Sequence, residues 1–167
     1  MPAEALRDEH FLAPIFGLDL YLQGSLMQPV SNRTFYRVIY GDTDLMGVAY
    51  YANYLRWFEI GRNELLRSVG LPYKDIERQG VKLPVSEATC KYISSVCYDD
   101  EIIIETRLDP SVRSGLKIDY VIYRKEDMRV AAKGHTLHAC LGKDGKVIRP
   151  PAFITGPLKK AVQAAGD

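Results

Sequence analysis

Hydrophobic and polar positions along this chain follow two different periods. Between about residues 53 and 69, Tyr54, Phe58, Leu65 and Val69 recur at helical spacing, while Arg56, Glu59, Asn63 and Arg67 occupy the other side. The spacing predicts one long amphipathic helix. Gly61 stands at its centre, where glycine costs about 1 kcal/mol relative to alanine, so its presence implies that another backbone approaches that face closely. Gly70 and then Pro72 stop the helix.

Around the helix the period is two. Thr34 to Tyr40 reads as a strand, with Phe35, Tyr36, Val38, Ile39 and Tyr40, ended by Gly41 and Asp42. A short polar turn or helix near Lys74 to Gln79 follows the long helix, and then strand chemistry takes over with Lys82 to Ser94. Glu101 to Leu108 alternates, placing Ile102, Ile104, Thr106 and Leu108 on one side and Glu105 and Arg107 on the other. Leu116 to Arg124 sets Leu116, Ile118, Tyr120 and Ile122 on a common face, and Arg129 to Leu141 is the next strand. Gly142-Lys143-Asp144-Gly145 makes a hairpin-type turn before Lys146 to Arg149.

One helix cannot cover both faces of such a sheet. The expected packing is α+β, with a curved antiparallel sheet wrapped around a single central helix. Val121 and Tyr123 are left on the outward face, which together with the sheet edges argues for subunit pairing. Residues 1–30 follow neither period and read as an extension packed on the domain or a partner-binding arm. The expected division is an extension over 1–30, a domain over 31–156 and a C-terminal tail over 157–167.

Composition narrows the function classes. The 167 residues fit one domain with a substantial core. A net charge of +1 lacks the concentrated positive charge that nucleic acid requires. Three scattered cysteines, Cys90, Cys97 and Cys140, make neither a disulfide framework nor a Cys-x-x-Cys pair. The residues after Met1 lack a secretory pattern, and no apolar run approaches the ~18 residues of a membrane span. The expected location is the cytoplasm.

Candidate chemistry concentrates in Gly41-Asp42-Thr43-Asp44-Leu45-Met46-Gly47-Val48, continuing through Ala49-Tyr50-Tyr51-Ala52-Asn53-Tyr54 into the long helix. A carboxylate beside a helix N-terminus lies close to free backbone N–H groups, so a few residues can supply both a reactive oxygen and an anion cradle. That is the outline of an acyl-transfer site. An Asp following Gly41 commonly builds a turn, which is the reading for Asp42. The Asp-x-Asp-x-x-Gly spacing also opens a calcium loop, but Met46 replaces an oxygen ligand and Asn53 stands where a bidentate Glu belongs. His135, His138 and Cys140 do not suggest a metal site, because strand alternation sends His135 to the opposite face from the other two. Gly-x-Ser-x-Gly is absent, which sets serine-hydrolase chemistry aside.

The strand ending at Tyr40, the Asp42-x-Asp44-x-x-Gly47-Val48 element, Tyr50-Tyr51-Ala52-Asn53-Tyr54-Leu55-Arg56-Trp57-Phe58-Glu59, Arg62, and the later Gly134-His135-Thr136-x-His138-Ala139 strand occur in that order. Together they resemble the hotdog-fold acyl-CoA thioesterases of the 4-hydroxybenzoyl-CoA thioesterase type, including the branch associated with the Tol-Pal system. The resemblance spans roughly residues 34–151. It implies a homo-oligomer, dimer or tetramer, with sheets paired edge to edge and active sites at subunit interfaces. It places the catalytic carboxylate on Asp44 and the backbone N–H that polarises the thioester carbonyl on Tyr51, where the Tol-Pal branch often carries histidine. Gly47 permits the turn, and Asn53 orients either the loop or the substrate.

Under this resemblance the protein hydrolyses an acyl-CoA thioester without metal or bound cofactor. An ordinary aspartate is charged at neutral pH, which favours nucleophilic attack through a mixed anhydride, with general-base activation of water as the second scheme. Arg113, Lys117, Lys143, Lys146 and Arg149 are the candidates for the phosphates of coenzyme A. The rival readings are a hotdog hydratase or dehydratase, for which the expected histidine near the helix is absent, and a non-catalytic acyl-thioester binder or adaptor.

Overall fold

The computed structural model describes residues 30–109 and 115–164. The chain runs through β1 (Ser31–Arg37), a 3-10 turn (Tyr40–Asp42), α1 (Asn53–Ser68), α2 (Tyr73–Arg78), β2 (Val85–Tyr92), β3 (Glu101–Asp109), β4 (Gly115–Arg124), β5 (Arg129–Ala139) and α3 (Ala152–Ala164). The five strands form one antiparallel sheet in the order β1-β3-β4-β5-β2. β3, β4 and β5 are neighbours in sequence and in space, while β1 and β2 close the two edges.

Alternation decides which strand residues face α1. Ile102, Ile104 and Leu108 of β3 and Leu116, Ile118, Tyr120 and Ile122 of β4 join the main core, and Thr106 is buried in line with them. From α1 come Tyr54, Trp57, Phe58, Gly61, Leu65 and Leu66. Phe58 stacks on Tyr120 with ring centroids 4.3 Å apart. Full burial of a side chain of this kind stabilises the fold by roughly 1.5–3 kcal/mol. The helix lies mainly against β1 and β3.

Gly61 explains that contact. A Cβ built on it would lie 2.7 Å from Ile104 Cγ2 and closer still to Thr106 Oγ1, so α1 reaches the sheet through the space its side chain would fill. The approaching group is the side-chain layer of β3 rather than its backbone. The helix ends as expected at Gly70, where the Leu71 N–H turns back to the Leu66 carbonyl at 2.8 Å.

Four expectations need correction. The first strand covers Ser31–Arg37 instead of Thr34 to Tyr40, because Tyr40–Asp42 is drawn into a 3-10 turn by the Asp42 carboxylate. Lys146 to Arg149 forms no strand. Only a single pairing, Leu141 with Val147, follows the turn at 142–145. Residues 152–164 form α3, which crosses the boundary placed at 156/157 and buries Ile154, Leu158 and Val162 in the main core. Val121 and Tyr123 are buried on the outer face, packed with Ile103 and Val130 in a second cluster, because Ile103 stands opposite Tyr123 in the register. The expected extension, apart from Val30, lies outside the described residues. Among the described residues no helix is long and apolar enough to cross a membrane.

Candidate active site

Asp42 organises the loop. Its carboxylate is 1% exposed and accepts hydrogen bonds from the Tyr36 hydroxyl at 2.8 Å and the Ile39 N–H at 3.1 Å, and it pairs with the Arg56 guanidinium. Its main-chain carbonyl accepts from the Tyr50 N–H and from Asn53 Nδ2, both at 2.8 Å. One residue thus joins β1, the loop and the first turn of α1. This is the turn-building role read for Asp42, and Asn53 holds the loop through it.

Beyond Asp42 the chain folds into a miniature hairpin. Thr43 pairs with Ala49, Asp44 N–H donates to the Val48 carbonyl at 3.0 Å, and Gly47 N–H donates to the Asp44 carbonyl at 2.9 Å. An Asp opening and a Gly closing a four-residue turn is a favoured pattern, and Gly47 takes φ +76°, which a side chain would strain. The return arm is fastened by the pairing of Val48 with Cys97 and by the Ala49 N–H, which donates to the Val96 carbonyl at 2.8 Å.

The hairpin fixes Asp44. Its Oδ1 accepts from the Met46 N–H at 2.8 Å, an Asx turn that holds the carboxylate in one orientation. Its Oδ2 has no donor among the described residues. Nearby, α1 begins without a side-chain cap. The Asn53 N–H donates to the Tyr50 carbonyl at 2.9 Å, whereas the N–H groups of Tyr51 and Ala52 have no acceptor among the described residues. Unsatisfied amides at the positive end of a helix favour negative charge.

Asp44 and Tyr51 line the same pocket, of about 300 Å³. Its remaining walls come from Met46, Val48 and Ala49 of the hairpin, Tyr54 of α1, and Tyr92, Ile93, Ser94 and Ser95 at and beyond the end of β2. Sequence reasoning missed this last wall. Its residues lie some 40 positions from the loop, and no local pattern links them to it. A bulge in β5 secures them: the Ala131 carbonyl, in the register shift opposite Ile122 and Tyr123, accepts from the N–H groups of Ile93 at 2.8 Å and Ser94 at 3.1 Å. Burial pushes the phenols of Tyr54 and Tyr92 up to about 12, so both stay neutral. The Tyr50 phenol is also raised, first by its hydrogen bond with Tyr51.

None of Lys117, Lys143, Lys146 and Arg149 lines this pocket, and Arg113 lies outside the described residues. Lys117 is held by Asp109 at 2.9 Å and Asp119 at 3.7 Å, and the bond to Asp109 raises its pKa. Lys146 pairs with Asp144 at 3.7 Å. Lys143 packs over Gly80, and Arg149 is exposed.

His135 and His138 do go to opposite faces of β5. His135 bonds Thr89 Oγ1 and Glu87 Oε1, each at 2.9 Å. His138 faces the core, 2% exposed, with Nε2 2.8 Å from Thr136 Oγ1 and Nδ1 3.1 Å from the Leu83 carbonyl. Neither ring reaches the Asp44 pocket.

Comparisons with known proteins give the family and the fold. The chain matches the Thioesterase-like superfamily over residues 38–162. An Aquifex aeolicus protein provisionally named an esterase is 35% identical over 123 residues, covering 74% of this chain and 94% of its own length. The acyl-CoA thioesterase YbgC of Haemophilus influenzae is 32% identical over 123 residues, 70% of this chain and 84% of that protein. The crystal structure of the DHNA-CoA thioesterase from Staphylococcus aureus superposes with a TM-score of 0.72 at 29% identity, covering 80% of this chain and 89% of that one. With its sheet curved around α1 and a match running through most of its length, the chain belongs to the thioesterase-like superfamily and has the hotdog fold.

Proposed function

We propose that this protein is an acyl-CoA thioesterase, releasing free acid and coenzyme A, with Asp44 as the reacting carboxylate and the Tyr51 amide at the start of α1 as the oxyanion donor. The observation that carries this reading is that Asp44 and the N-terminus of α1 share one pocket. Oδ1 is engaged by the Met46 amide, so Oδ2 is the oxygen available for chemistry. As a nucleophile it bonds to the thioester carbon, the C–S bond breaks, and the departing thiolate takes a proton. Water then cleaves the mixed anhydride and restores the carboxylate. As a general base the same oxygen would take the proton from the attacking water. In either scheme negative charge builds on the thioester oxygen, where helix N-terminal amides are worth most.

The relatives support the substrate class, since YbgC of H. influenzae is named an acyl-CoA thioesterase and the S. aureus protein a DHNA-CoA thioesterase. We further propose that the working unit is a homo-oligomer, dimer or tetramer. The pocket mouth and the adjoining edge strand expose Met46, Tyr51, Val85, Tyr92 and Ile93, an apolar surface that a partner subunit would cover.

A thiol-release assay over short, long and aromatic acyl-CoA esters tests the activity. Asp44→Asn removes the charged oxygen while keeping the Asx-turn acceptor, and should lower kcat on the order of 10²-fold or more with substrate binding retained. Turnover at the parent level in that variant would show that Asp44 does not carry the reaction.

A further inference from the structure

The oxygen-bearing side chains that line the pocket are Asp44, Tyr51, Tyr54, Tyr92, Ser94 and Ser95. Most of their hydroxyls are already engaged. Tyr51 bonds with Tyr50, the Tyr54 hydroxyl lies against the Val96 main chain, Tyr92 donates to the Tyr51 carbonyl at 3.1 Å, and Ser94 donates to the Val130 carbonyl at 2.8 Å. Ser95 Oγ has no partner among the described residues.

Local pairing sets where that hydroxyl stands. Val48 of the hairpin pairs antiparallel with Cys97, and the Ala49 N–H donates to the Val96 carbonyl at 2.8 Å. Continuing this register puts Ser95 opposite Tyr50, beside the peptide unit that carries the Tyr51 N–H. Val96 is fully buried, and alternation turns its neighbours Ser95 and Cys97 to the other side, where both are exposed. A free hydroxyl and the free Tyr51 amide thus share one pocket with Asp44. No histidine lines this pocket to take the Ser95 proton, so the hydroxyl is suited to donating a hydrogen bond rather than to attack.

We propose that Ser95 is a second oxyanion donor: its hydroxyl bonds the thioester oxygen alongside the Tyr51 amide. The inference rests on the thioesterase reading above and adds to it a residue from the chain beyond β2. An oxyanion accepts more than one hydrogen bond, and beside the apolar Met46, Val48, Ala49 and Ile93 a single amide leaves it short of donors. A donor aimed at charge that develops only during attack lowers the barrier without tightening the binding of the substrate.

The test measures kcat and KM for the parent protein, Ser95→Ala, Ser95→Thr and Asp44→Asn on butyryl-, palmitoyl- and benzoyl-CoA. The dithioester analogue of the best substrate is added, in which sulfur, a poor acceptor, replaces the carbonyl oxygen. Ser95→Ala should lower kcat on the order of 10²-fold with KM within about twofold. Ser95→Thr keeps a hydroxyl and should recover most of the loss, and the unfolding midpoint should hold in both variants because the side chain is exposed. The dithioester already forgoes this hydrogen bond, so Ser95→Ala should slow it far less. Parent-level kcat in Ser95→Ala beside an inactive Asp44→Asn overturns the role of Ser95 and leaves the thioesterase reading standing. A loss carried by KM alone, or one equal on thioester and dithioester, also overturns it. Full activity in Asp44→Asn overturns the site assignment instead.

Discussion

His138 shows how a residue's chemistry depends on its neighbours. With Nδ1 as the protonated nitrogen, the ring donates to the Leu83 carbonyl, Nε2 accepts from the Thr136 hydroxyl, and that hydroxyl accepts from Tyr120 at 2.9 Å. Every member of this buried chain is satisfied only while the imidazole is neutral. Burial lowers the pKa of His138, with the nearby Arg62 guanidinium adding to the effect against the Leu83 carbonyl. A folded pKa below the free value means that the unfolded chain takes up a proton first as pH falls through ~6.5. The contribution of His138 is therefore complete above ~6.5 and is lost progressively below it. The thermal midpoint should be lower at pH 5.5 than at pH 7.5, and His138→Gln should flatten that difference. An equal drop in both proteins would assign the effect to other groups. Asp42 gives the opposite lesson, because its role was legible in the sequence: turn chemistry for the acid after Gly41. Arg56 was not legible. Its helical spacing assigned it to the solvated side, yet its guanidinium pairs with the buried Asp42 carboxylate.

For a secondary-structure element, legibility follows the strength of its period. α1 was readable to within a residue at both ends, since its apolar stripe is regular and Gly70 with Pro72 stops it. Its centre carries a packing constraint as well. Gly61→Ala would gain about 1 kcal/mol in helix propensity, but the new methyl would press on Ile104 and Thr106, and overpacking of this kind costs roughly 1–3 kcal/mol. Chemical denaturation should show Gly61→Ala to be less stable than the parent, and a more stable variant would mean that α1 can move away from β3. Elements whose pattern competes with local side-chain chemistry were read less well. β1 ends early because a carboxylate three residues on captures the Ile39 N–H, a contact that residue propensities do not register. α3 went unread because Pro157 lies within it, although Ile154, Leu158 and Val162, with Phe153 and Ala161 beside them, anchor it to the core.

In the whole molecule, the sheet leaves β2 at an edge. Among the described residues its only strand partner is β5, and almost all its residues are exposed. An open edge beside an apolar pocket mouth calls for a second copy. Sedimentation at micromolar concentration should give a mass two or four times that of the single chain, and a single-chain mass would refute the oligomer. The amino-acid sequence by itself determined the α+β class, the long helix and its stop, the alternation of β3 and β4, and the loop that carries Asp44. Each of these depends on spacing within about twenty residues, where backbone period and turn chemistry act. Only the tertiary structure decided that Tyr92, Ile93 and Ser94 complete the pocket, that Arg56 serves Asp42, and that His138 closes a buried hydrogen-bond chain. The pocket wall and the His138 chain join residues brought together by the closing of the sheet around α1, and linear spacing carries no record of a distance set by that closure; Arg56 is near Asp42 in sequence, but helical spacing does not register the direction of a long side chain.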